Sequence, residues 1–117
     1  MNRRIIIAGS RSFDNYELLC ETLDNYHIDS KTDIIVSGGA KGADTLGERY
    51  AKEHGIHFKQ FLADWDTLGK SAGYIRNKEM GNYATEAIIF WDGESKGSYH
   101  MINIMRNLKR GCRVVTF

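Results

Sequence analysis

Five short apolar runs recur along the chain, at Arg4 to Ala8, Asp33 to Ser37, His57 to Leu62, Ala87 to Trp91 and Arg113 to Phe117, each of strand length. Most are separated by longer segments whose apolar residues return at helical spacing. The first such segment is announced by "DNYE", with Asp14 as cap and Glu17 following at capping-box distance. It sets Leu19, Leu23 and Tyr26 on one face and ends before Asp29. The second begins within "GADTLGERYAKEHG", buries Ala43, Gly47, Tyr50 and Ala51, and carries Gly55 where a left-handed terminal residue is wanted. A third starts near Ser71 and runs through "GYIRNKEMGNYA". A fourth starts at Ser98 and aligns Met101, Ile104, Met105 and Leu108, with Lys109 and Arg110 complementing the negative end of its dipole.

This alternation predicts an α/β fold: a three-layer Rossmann-like sandwich around a five-stranded, mainly parallel sheet in the order 3-2-1-4-5. The runs "DIIVS", "AIIFW" and "RVVTF" are continuously apolar, as strands covered on both faces are. "HFKQFL" is more polar and belongs at an edge. In that order the chain reverses direction between strands 1 and 4. The loops after those strands then flank a crevice at the carboxyl edge of the sheet, where such folds bind ligands.

Three strand-to-helix junctions converge on that edge: "GSRSFDN", "GGAKGAD" and "WDGESKGS". Small residues ahead of a helix start leave unpaired amides and the positive dipole end facing outward, which is a ready anion site. Arg11 is placed for a bidentate contact with a phosphate or carboxylate, or is a surface arginine. Lys41 offers a point charge to a phosphate, or is a solvated loop lysine. Asp44 accepts from ribose hydroxyls or from loop amides, or caps the second helix. The long connection "ADWDTLGKSAGYIRNKEM" carries Trp65, Asp66, Arg76 and Asn77. Trp65 either stacks on a base or, the favoured reading, plugs the sheet edge. Arg76 and Asn77 suit recognition of a phosphate or base edge, or form a helix-surface pair.

Composition narrows the class. The 117 residues suit one domain spanning 1–117, and 16 Lys+Arg against 15 Asp+Glu lack the basic excess of a dedicated nucleic-acid binder. Nucleic acid is therefore not the expected partner. Cys20 and Cys112 lie far apart with no C-x-x-C, which reads as two buried thiols in a reduced, cytoplasmic protein. The N-terminal apolar run is too short for a signal peptide or a membrane span. His54 and His57 straddle Gly55 and share no helix face, no other metal-ligand spacing occurs, and there is no G-x-S-x-G elbow. No metal or cofactor is expected from these patterns.

The segments "IIIAGSRSFDN", "VSGGAKGADTLGERYAKEHG", "AGYIRNKEM" and "FWDGESKGS", in this order, resemble the SLOG superfamily, in particular its YspA or YpsA-related branch. The resemblance runs over nearly the whole chain. It implies a Rossmann-like fold and a nucleotide or nucleotide-derived ligand, often proposed to be ADP-ribose-like, with links to bacterial and phage conflict. Carried over by motif, the ligand-contacting positions are Gly9, Ser10 and Arg11; Gly38, Gly39, Gly42 and Asp44; Arg76 and Asn77; and Asp92, Ser95, Gly97 and Ser98. Ser98 stands where the family has threonine and keeps the hydroxyl. "YATEAII" displaces an acidic residue often found ahead of the fourth strand.

The same superfamily holds the Lonely Guy phosphoribohydrolases, whose motif resembles P-G-G-x-G-T-x-x-E. Laid on "GESKGSYHM", it puts Met101 at the glutamate, and a thioether can neither steady an oxocarbenium-like sugar nor move a proton. The first expectation is therefore a binding module acting as sensor, carrier or sequestering protein. The second is a hydrolase of an N-glycosidic or phosphate bond in such a ligand. The third, by resemblance to the DNA-processing protein that loads recombinase, is single-strand binding. Aromatics such as Tyr83 and Tyr99, with the habits of the superfamily, point to a homo-oligomer.

Overall fold

Ile5, Ile6 and Ile7 are all fully buried, which an amphipathic strand could not achieve, and their strand is accordingly the centre of the sheet. The computed structural model describes residues 2–117. The strands are β1 (Arg4–Gly9), β2 (Ile34–Ser37), β3 (His57–Gln60), β4 (Glu86–Trp91) and β5 (Gly111–Thr116). They are parallel and run in the order β3-β2-β1-β4-β5. The helices are α1 (Tyr16–Tyr26), α2 (Ala43–Glu53), α3 (Trp65–Leu68), α4 (Ala72–Tyr83) and α5 (Lys96–Asn107), with a 3-10 turn at Gly69–Ser71. The α/β topology and strand order are those the sequence predicts.

Alternate residues of the central strands feed two cores. Ile5, Ile7, Ile35, Ile88 and Phe90 meet Leu19 and Leu23 of α1 and Tyr50 and Ala51 of α2. Ile6, Ala8, Val36, Ala87 and Ile89 meet Met80 of α4 and Met101, Ile102 and Met105 of α5 on the other face. Each fully buried Ile contributes about 1.5–3 kcal/mol of burial free energy, so this double-sided packing dominates the stability. Gly47 lets α2 approach β1, because a Cβ there would stand 2.7 Å from the Ile7 side chain.

Local corrections have local causes. α1 is capped by Asn15, whose side chain accepts from Leu18 N at 3.0 Å, rather than by Asp14. Phe13 is buried and stacks on Phe90 at 4.6 Å, which holds the chain in the loop one residue longer. α5 starts at Lys96 rather than Ser98, because the Ser95 side chain accepts from Ser98 N. β5 is an edge strand with Arg113 exposed and Val114 and Val115 half-buried, so its apolar run is not covered on both faces as expected. Cys20 and Cys112 are free thiols and only partly buried. The α3 turn was not anticipated, although Asp64, which caps it by accepting from Thr67 N, is a legible signal. Among the described residues no helix is long and apolar enough to cross a membrane.

Candidate functional site

The parallel sheet brings the ends of β1, β2 and β4 to one edge, and α4 and α5 close the near side. A cavity of about 310 Å³ lies there. Its floor is apolar, formed by Ala8, Met80 and Met101. Arg11, Asp44, Arg76, Asn77, Ser95, Gly97 and Ser98 supply polar walls, Gly9 completes the β1 end, and Trp65, Lys70 and Tyr74 form the outer rim. A second hollow of about 400 Å³ adjoins it, lined by Gly38, Gly39, Lys41 and Leu62 among others. Arg11, Ala40, Trp65 and Arg76 line both, so two guanidinium groups stand at the junction.

Those two arginines differ in how they are held. Arg76 Nη1 donates to the Gly38 carbonyl at 2.7 Å and Nε donates to Asn77 Oδ1 at 3.1 Å. Burial lowers its pKa, the nearby Asp44 carboxylate raises it, and the positive charge of Arg11 lowers it again. Arg11 is exposed and has no hydrogen-bond or ion-pair partner among the described residues. Two like charges within electrostatic reach, one of them unpaired, are stabilised by an anion between them.

Asp44 is 4 % exposed and supplies the one carboxylate in the lining of the first cavity. It does not cap α2. The cap residue is Gly42, with no side-chain bond, and Asp44 in the first turn accepts from Gly38 N at 2.9 Å. Burial pushes its carboxyl up to about 6, against the opposing pull of Arg76 and of the amides of Gly38 and Ala40. Gly39 N is engaged by Ser37 Oγ at 3.0 Å. The amides of Gly38, Gly39 and Ala40 are therefore engaged by the protein's own oxygens.

The glycines there serve the chain as well. A Cβ on Gly42 (φ +84°) would lie 2.3 Å from the Ser10 carbonyl oxygen, so this residue lets the β1 and β2 loops touch. A Cβ on Gly39 would face Leu62 and Gln60, not an empty cradle. Gly97 is the opposite case. Nothing lies within 4 Å of the position its Cβ would take, and it opens onto the cavity at the N-terminus of α5. The amides of Lys96 and Gly97 have no acceptor among the described residues.

Four of the positions singled out from the sequence, Ser10, Gly42, Asp66 and Asp92, lie outside both linings. Ser10 Oγ accepts from Asp92 N at 3.1 Å, which ties the β1 and β4 loops. Asp92 Oδ1 accepts from the amides of Glu94 and Ser95, which hold the carboxyl below its ordinary range. Asn77 is buried, and its Nδ2 donates to the Gly97 carbonyl and meets His100 Nδ1, both at 3.3 Å. With Oδ1 engaged by Arg76, the amide is a brace between α4 and α5 rather than a free reader of a base edge. Trp65 is 50 % exposed and lines both hollows, so it does not plug the sheet edge. Lys70, Tyr74 and Met80 are lining residues that the sequence reading does not include. A polar loop carrying Trp65 and Lys70 ahead of Tyr74 was a usable signal, whereas nothing local marks Met80.

The family model described as YspA, cpYpsA-related SLOG family matches residues 3–67. That segment holds β1 through most of α3, including the Gly9–Arg11 and Gly38–Asp44 loops. The chain belongs to this SLOG family. It is also 32% identical over 122 aligned residues to the Gene 61 protein of Mycobacterium phage D29, with 98% of this chain and 96% of the phage protein covered. No solved structure gives a significant match. Arg76, Asn77 and the α5 N-terminus lie beyond the family-matched segment but within the reach of the phage relative.

Proposed function

We propose that this SLOG protein binds a nucleotide-derived anion, ADP-ribose-like in form, as a sensor, carrier or sequestering protein. The observation that carries this reading is the junction of Arg11 and Arg76, with two hollows opening on either side of it. A ligand with an internal diphosphate and an organic group on each side has that shape and charge. The open N-terminus of α5 supplies amides and a positive dipole end to the same cavity. The mycobacteriophage relative is in keeping with a role in bacterial or phage conflict.

Hydrolysis of the ligand is the second reading, and Asp44 is the residue it would use. Asp44 Oδ2 is already engaged by Gly38 N, and Met101 occupies the cavity floor, so capture stands ahead of turnover. Calorimetry with ADP-ribose tests the binding, with Arg11→Ala as the control. Equal affinity in both proteins would overturn the assignment of the diphosphate to the arginine junction. Chromatography of the same mixture tests turnover, since release of ribose phosphate or free base would establish a hydrolase.

A further inference from the structure

The cavity is amphipathic, and its cations account for only part of its lining. Trp65, which lines both hollows with the two arginines, and Tyr74, which lines the first, are 50 % and 47 % exposed, although large aromatic side chains generally bury themselves. Both face the same cavity above the Met80 and Met101 floor. Each is held in place from behind. The far edge of the Trp65 indole rests on α4 at Gly73, where even a Cβ would come within 3.2 Å. The Tyr74 ring is met edge-on by His100, with centroids 4.6 Å apart. α3, which carries Trp65, has no buried residue, so the indole is the only large ring that segment brings to the cavity.

Resting on the proposed anion site, we infer that Trp65 and Tyr74 form an aromatic wall that selects ligands carrying a nucleobase over ligands carrying phosphate alone. Base–aromatic stacking tolerates any base, because every base presents a π-face. The wall therefore sets the ligand class and not the base identity. Asn77, the amide nearest this wall in sequence, is committed to Arg76, Gly97 and His100, so it adds no free base-edge reader.

The test uses the full chain and two probes, ADP and inorganic pyrophosphate, with Trp65→Ala and Trp65→Phe. Trp65 is half-exposed on a turn with no buried residue, so both variants are expected to keep the wild-type melting temperature. Trp65→Ala is expected to weaken ADP by about tenfold or more while leaving pyrophosphate within twofold, and Trp65→Phe to recover most of the loss. Equal weakening of both probes, or no weakening of ADP, would overturn the aromatic wall. If wild-type protein holds pyrophosphate as tightly as ADP, the wall is likewise overturned while the anion site stands. If wild-type protein binds neither, both readings fail together.

Discussion

In the β2–α2 loop, the amides of Gly38 and Gly39 donate to Asp44 and to Ser37, and Gly42 is pressed against the Ser10 carbonyl. In the β4–α5 loop, Asp92 gathers the amides of Glu94 and Ser95, those of Lys96 and Gly97 have no acceptor among the described residues, and Gly97 faces empty space. Both loops are small-residue junctions between a parallel strand and a helix, and both reach the same edge. One uses its glycines so that the chain can approach itself. The other leaves the space beside its glycine open to the cavity. A sequence shows the permission for close approach that glycine gives, but not which atoms take it up.

The sharpest break in this comparison is Gly42→Val. Its positive φ and the contact with backbone oxygen leave no relaxed position for a side chain, so we expect a loss of about 3 kcal/mol or more in denaturant unfolding. Gly97→Val, in open space, should unfold within about 1 kcal/mol of wild type. Comparable destabilisation of both would erase the distinction between the loops.

The next effect concerns Asp44, which fixes the first loop. Its folded pKa is raised from 3.8 to about 6, so the folded state holds more protons than the unfolded state between those values. Its contribution to stability is thus full below the unfolded pKa and is lost as pH rises through about 6, by roughly 3 kcal/mol. Asp33 and Asp92, whose pKa values are lowered, titrate in the opposite sense, so the comparison is with Asp44→Asn at each pH. The stability of wild type relative to that variant should fall from pH 4 to pH 7. A flat difference would mean that Asp44 is not desolvated. Arg11→Ala follows, weakening pyrophosphate by about 1.5–3 kcal/mol with unfolding unchanged, as expected for an exposed cation with no partner among the described residues. The smallest effect is Lys41→Ala. Lys41 is exposed at the second hollow, and it should alter pyrophosphate affinity by less than about 1 kcal/mol.

The fold was legible because its signals are cumulative. Ile5–Ile7 and Ile88–Phe90 are buried on both faces, "HFKQFL" is not, and together they set the strand order. β5 misled because an apolar run is the same letters at an edge as in the middle. In the candidate site, Arg11 and Arg76 could be picked out as cations in strand-to-helix or long loops, and the structure brings them to one junction. What the sequence could not show was occupancy by the chain itself: that Asn77 braces Arg76, that Asp92 closes its own loop, and that Asp44 binds Gly38 instead of capping α2. Each is a local contact in which the turn of the backbone, and not the residue type, selects the partner. For Trp65 the letters allow both a buried and an exposed ring, and only its place on a turn without a core-facing side decides between them.

The proposed anion lies between Arg11, Arg76 and the start of α5, outside the glycine-rich β2–α2 loop. Amide resonances followed during a pyrophosphate titration test this most directly. Lys96 and Gly97 should show the largest backbone shifts, with Gly38 and Gly39 nearly still. Large shifts at Gly38 and Gly39 with Lys96 and Gly97 unmoved would contradict it.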